Sequence, residues 1–194
     1  MTRVIFLGPP AVGKGTQATW LAEKLGIPTV STGQIFRSNI DEGTELGRLA
    51  DSYISRGKFV PDSITVPMVD ARLSAPDVED GFILDGFPRN LNQAHALRDL
   101  LAKRGVSLDV VIELEAPEEV VVERLQMRAG IEKRSDDRVE VFVQRLQDYH
   151  ELTEPIATYY ADQDLLEVVD AAKTREEIHE DILAVLSSKG LCSK

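Results

Sequence analysis

The segment Gly8-Pro9-Pro10-Ala11-Val12-Gly13-Lys14-Gly15-Thr16 constrains this chain more than any other. It follows directly on the apolar run Val4 to Leu7, which reads as a buried strand. It opens a stretch in which Ala18, Leu21, Ala22 and Leu25 recur at helical spacing. Strand, glycine loop and helix in that order are the context in which a G-x-x-x-x-G-K sequence holds polyphosphate. Backbone N–H groups of the loop wrap phosphate oxygens, and the positive end of the helix adds to the attraction. Lys14 brings a point charge to the β- and γ-phosphates, and Thr16 can place its hydroxyl near Mg²⁺.

The rest of the chain alternates as such a loop requires. Further strands are expected at Thr29 to Ser31, Phe82 to Leu84, Val110 to Leu114 and Leu166 to Val169. Between them lie helical stripes: Ala94, Leu97 and Leu101; Val121 and Leu125; Val139, Val143, Leu146 and Tyr149; and, last, Ile178, Ile182 and Leu186. The alternation predicts an α/β fold, a parallel β-sheet flanked by helices on both faces, and the glycine loop after the first strand makes the expected fold one of the P-loop NTPase type. Ligands in such sheets bind at the carboxyl ends of the strands. Two segments depart from the alternation. Gln34 to Leu73 carries no strand and predicts a helical insertion, and Ala129 to Ser135 is a short charged stretch between helices. Both are placed to act as flaps over a cleft.

With 194 residues and no repeat, low-complexity segment or Pro/Gly-rich linker, the chain reads as one domain, 1–194. The net charge of −11 argues against a broad nucleic-acid-binding face, yet leaves room for a few arginines focused in a cleft. No apolar run is long enough to span a membrane. Val4 to Leu7 is too short for the core of a secretory signal, so the expected setting is the cytoplasm. The one cysteine, Cys192, excludes an internal disulfide and a thiolate zinc cluster, and reads as an incidental exposed thiol. His95, His150 and His179 lack ligand spacing and read as surface or packing residues, and Ser187 to Lys194 as a disordered tail.

Other charged residues fall where phosphate chemistry needs them. Leu84-Asp85-Gly86-Phe87-Pro88-Arg89 ends a strand in a carboxylate suited to hold a magnesium-bound water. Arg37, one turn into a helix after a strand end, is placed for bidentate phosphate contact, although alone it would read as a solvated helix residue. Arg124 and Arg128, four apart, share one helix face, and Arg134 and Arg145 follow. Four arginines converging on one cleft would repel one another without polyanions among them.

Gly13-Lys14-Gly15-Thr16-Gln17, with glycine rather than Ser or Thr after the lysine, resembles the nucleoside monophosphate kinases. Val30 to Arg37, Gly57 to Val60, Leu84 to Arg89 with Gln93, and the run from Glu123 through Arg145 to Tyr160 extend that resemblance. It covers Val4 to about Leu186 and is to the adenylate kinases of short-lid type. The resemblance implies reversible transfer of the ATP γ-phosphoryl group to AMP, giving two ADP, with Mg²⁺ bridging the β- and γ-phosphates. It implies catalytic roles for Lys14, Arg89, Arg124, Arg128, Arg134 and Arg145. ATP would lie on Ala11, Val12, Gly13, Lys14, Gly15, Thr16, Arg128 and Lys173. AMP would lie on Thr32, Arg37, Lys58, Phe59, Val60, Gly86, Phe87, Pro88, Arg89, Gln93, Arg134 and Arg145. Mg²⁺ would be held by Thr16 and by water on Asp85, with no zinc site. Residues 31–60 would form the monophosphate-binding insertion and 129–135 a short lid loop; the Phe87–Pro88 bond would be cis. A monomer acting on ATP, AMP and ADP is expected, with no nucleic acid or membrane partner.

Thr32 with Gln93 favours AMP, since uridylate/cytidylate kinases, the nearest alternative, tend to carry Ala and Asn there. A P-loop switch GTPase would carry Asn-Lys-x-Asp, which is absent, and an inactive nucleotide-binding module would have lost Arg89, Arg128 or Arg145. The chain departs from the family pattern at Ala11, Met127 and Ala171, where glycine is usual, and at Gln34, where an acidic residue is usual. If position 11 requires positive φ, alanine is strained there.

Overall fold

The computed structural model describes residues 1–132 and 139–192, and the side chains of 1–127 and 141–192. β1 (Thr2–Leu7) is buried at every position, and its apolar part, Val4 to Leu7, suits a sheet covered on both faces. α1 (Lys14–Leu25) follows the loop and closes on Gly26, whose φ of 68° suits a helix end. β2 (Thr29–Ser31), β3 (Gly81–Asp85), β4 (Val110–Glu115) and β5 (Leu166–Asp170) join β1. Among the described residues they form one five-stranded parallel sheet in the order β2-β3-β1-β4-β5. The expected α/β architecture is therefore present, with every expected strand in place. β1 has β3 on one side and β4 on the other, so the crevice at its carboxyl end opens where the phosphate loop begins.

Successive β1 side chains point to opposite faces and seed two cores. Val4 and Phe6 pack with Leu21 of α1, Leu125 of α6 (Glu118–Glu132) and Ile182 of α9 (Arg175–Ser188). Ile5 and Leu7 pack with Val69 of α4 (Asp62–Arg72), Leu97 of α5 (Leu91–Lys103) and Ile156 of α8 (Glu154–Ala161).

Residues 34–73 hold helices joined by turns and no strand, as expected: α2 (Thr32–Asp41), α3 (Glu45–Ile54) and α4. Ser31 and Thr44 cap α2 and α3 by accepting N–H bonds from Gln34 and Gly47. Phe36, Ala50 and Val60 make a small separate core there. Gly47 lets α3 lie directly on the end of α2, because a Cβ would collide with the Asn39 carbonyl. α6 continues through Glu132, so the first part of 129–135 is helical. Arg134 lies outside the described residues, as does the side chain of Arg128. α7 (Val139–Asp148) leads into a π-helical turn, Tyr149–Thr153, and then α8.

The expected disordered tail is corrected up to Cys192. α9 runs to Ser188, and Gly190 at φ 70° lets the chain turn back. Leu191 N–H then reaches the Leu186 carbonyl at 2.8 Å, and the Leu191 carbonyl accepts from Thr2 Oγ1 at 3.0 Å. Leu191 and Cys192 pack on the core. A glycine-closed helix end with an apolar residue after it was hidden by the segment's small polar composition.

Candidate active site

The expected motifs meet at the carboxyl ends of the strands, around a cavity of about 660 Å³. The loop from Ala11 to Thr16 forms one wall. Gly8 needs its φ of 134° and its bare Cα, because a Cβ would press on the Leu114 carbonyl. Ala11 sits at φ 65°, so the loop does demand a left-handed residue where this chain has alanine. Lys14 Nζ donates to the Gly8 and Pro9 carbonyls at 2.6 and 2.7 Å, which holds the ammonium at the loop mouth. Arg124 donates to the Val12 carbonyl at 2.8 Å and the Lys173 carbonyl at 3.2 Å, joining the loop to the segment after β5. Burial, and then Arg175 nearby, lower the Arg124 pKa. Gln17 reinforces the same junction by donating to the Arg175 carbonyl at 2.8 Å. Lys173 lines the cavity with its ammonium on Asp181 at 2.7 Å. Ala171 has no positive φ, and its N–H meets the Glu115 carbonyl at 2.6 Å, so the missing glycine there costs the backbone nothing.

Thr16 and Asp85 face this cavity together. The Asp85 carboxylate accepts from Ser31 Oγ at 3.2 Å and lies 3.8 Å from where a Gly15 Cβ would stand. One hydroxyl and one carboxylate beside a phosphate cradle fit Mg²⁺, which keeps several waters and takes few protein oxygens.

A second, smaller cavity lies under the helical insertion. Thr32, Arg37, Lys58, Phe59, Val60, Gly86, Arg89, Gln93 and Arg145 line it, as do Gly33 and Phe36 of the Val30 to Arg37 run, and Ile54 and Thr65, which the sequence did not single out. Thr32 Oγ1 donates to the Gly86 carbonyl at 2.8 Å, and Gly86, at φ 79°, leaves room for both Thr32 and Arg89. Gln93 is buried, with Nε2 donating to Asp62 at 2.6 Å and Oε1 accepting from the Arg89 N–H at 2.8 Å. Its amide orientation is thereby fixed, with one N–H and one lone pair left for a ligand. Asn90 caps α5 and also donates to Asp62. Arg89 Nε donates to the Gly86 carbonyl at 2.8 Å, and its guanidinium lies 4.8 Å from the Phe59 ring centre. The Phe87–Pro88 bond is cis; Phe87 is wholly buried in the sheet core and lines neither cavity, whereas Pro88 lines the larger one. Lys58 pairs with Asp148 at 3.3 Å.

Gly33, Arg37, Phe59, Gly86, Arg89 and Arg145 line both cavities, so an arginine-rich border separates them. Behind it Glu113 is buried on β4 and accepts from the Tyr149 hydroxyl at 3.2 Å. Burial raises the Glu113 pKa, and burial followed by the Glu113 charge raises that of Tyr149. Sequence reasoning passed over Asp62, Asn90 and Thr153. Asn90 with Gln93 three residues later was a readable helix-start signal; Thr153 carried none.

The adenylate kinase family model matches residues 6–165. Similar curated proteins include the adenylate kinase of Thermobifida fusca, 51% identical over 187 residues, 96% of this chain and 99% of that one. The adenylate kinase of Mycobacterium tuberculosis is 48% identical over 184 residues, 95% of this chain and 98% of that one. That of Streptomyces coelicolor is 42% identical over 212 residues, again 95% of this chain and 98% of its own length. Likeness of this extent means that the chain belongs to the adenylate kinase family.

Proposed function

We propose that this adenylate kinase moves the γ-phosphoryl group of ATP, seated in the larger cavity, to the phosphate of AMP, seated in the smaller one, giving two ADP. The observation that carries the reading is the border of Arg37, Arg89 and Arg145, which belongs to both cavities at once. The acceptor phosphate is already anionic, so positioning and charge neutralisation suffice and no general base is needed. Lys14 and the phosphate loop hold the donor phosphates; Arg124, Arg128, Arg134 and Arg145 stabilise charge on the transferring group. Arg37 and Arg89 grip the acceptor phosphate, Thr32 and Gln93 face the adenine end, and the Lys58 to Val60 backbone borders the base. Phe87 shapes this loop from within the core, beside Pro88. Mg²⁺, held through Thr16 and a water on Asp85, would neutralise β- and γ-phosphate oxygens. Residues 31–60 serve as the monophosphate flap and the short connection at 129–135 as the lid; their closure excludes water and suppresses ATP hydrolysis. The enzyme works as a monomer in the cytoplasm.

Steady-state kinetics of Arg89→Ala and Arg124→Ala, varying AMP and ATP separately, test these roles. Arg89→Ala should raise KM for AMP and lower kcat on the order of a hundredfold. Arg124→Ala should act chiefly through ATP. Equal effects on both substrates in both variants would overturn the division.

A further inference from the structure

The chain does not pass smoothly from α7 to α8. Pro155, in the first turn of α8, has no N–H to return to the carbonyl four residues back. The Glu154 N–H instead reaches the Tyr149 carbonyl, five residues away, and Tyr149–Thr153 winds as a π turn. Widened turns of this kind occur often at functional sites. This one carries two buried hydroxyls. Tyr149 donates to Glu113 on β4 at 3.2 Å, and Thr153 Oγ1 donates to the Arg89 carbonyl, in the loop after β3, at 2.9 Å. Arg145, which lines both cavities, precedes Tyr149 by four residues, about one helical turn.

Arg89 is also held from the acceptor side. Its N–H meets Gln93, its Nε meets the Gly86 carbonyl, and its guanidinium lies over Phe59. Thr153 reaches its carbonyl from the π turn, in the segment that follows Arg145. We propose that Thr153 is a positioning residue for phosphoryl transfer. Its hydroxyl fixes the Arg89 carbonyl and thereby keeps the Arg89 guanidinium, on the acceptor phosphate, in register with Arg145, on the transferring group. This rests on the reading of Arg89 as an acceptor-phosphate arginine. A hydroxyl that only satisfied a buried carbonyl would matter to folding and not to one substrate.

The test compares Thr153→Val, Thr153→Ala and Thr153→Ser, each alone and combined with Arg89→Ala, by KM for AMP, KM for ATP, kcat and thermal melting. Val and Ala, which lack the hydroxyl, should behave alike, raising KM for AMP about five- to tenfold while KM for ATP stays within about twofold. Ser, which keeps the hydroxyl, should lie close to the parent enzyme. On the Arg89→Ala background none of the three should add a further loss. The proposal is overturned if Val and Ala lower the melting temperature alone, if they weaken AMP and ATP equally, or if Ala and Ser group together, which would mark the methyl as the important part. Should Thr153→Val fail to fold, Ala against Ser makes the same comparison. An Arg89→Ala enzyme with normal AMP kinetics would overturn the acceptor reading and this proposal together. A crippled Arg89→Ala beside a normal Thr153→Val would overturn the proposal alone.

Discussion

Lys14 occupies the carbonyls of Gly8 and Pro9, so its charge already sits at the loop mouth before any phosphate arrives. Replacing it by methionine removes charge from the site while leaving the buried core untouched. Lys14→Met should therefore lose about a hundredfold or more in turnover with an unchanged circular dichroism spectrum and a similar melting point. A near-normal rate would remove Lys14 from the mechanism. Lys14, Asp85 and Arg89 could be placed at the larger cavity from the sequence, because each stands in a short motif directly after an apolar strand. Ala11 was legible as a question, and its φ of 65° answers it: the loop keeps its shape at the cost of a strained alanine. Asp62 and Thr153 were not legible, because what they bind is distant in sequence, Gln93 for one and Arg89 for the other.

Elements were read more fully than residues. Apolar runs marked the strands, since burial leaves a period in the sequence, and the lack of a strand over 34–73 marked the helical insertion. What the period does not carry is how two helices approach. α2 and α3 meet through Gly47, and an added methyl has no room against the Asn39 backbone. Gly47→Ala should destabilise the flap by about 1–3 kcal/mol and raise KM for AMP more than KM for ATP. Urea unfolding and separate substrate titrations check both effects. The pairing of β4 with the π turn has a pH signature. Burial raises the Glu113 pKa from its ordinary 4.5, so across the window above that value the folded state binds more protons than the unfolded one. Stability contributed at this group is then complete below about pH 4.5 and lost as pH rises through the raised value. Glu113→Gln should abolish that decline, so its urea midpoint should gain on the parent enzyme as pH increases. Parallel profiles would place the titration elsewhere.

At the scale of the molecule, the sheet order β2-β3-β1-β4-β5 puts the crevice beside β1, and the loops that follow β1 and β3 deliver the phosphate cradle and Arg89 to it. The order itself was not legible, because patterning names the elements without naming their neighbours. A chain of net charge −11 can still hold the phosphates of two nucleotides, because Arg37, Arg89 and Arg145 stand together at the border of two cavities. The central claim is that the smaller cavity, with Thr32 and Gln93 at its base end, takes AMP as acceptor. The most direct measurement is the initial rate of phosphoryl transfer from ATP with AMP, dAMP, CMP and UMP supplied separately over a range of concentrations. AMP should give the highest kcat/KM; a higher kcat/KM with CMP or UMP would show that the smaller cavity takes a pyrimidine acceptor instead.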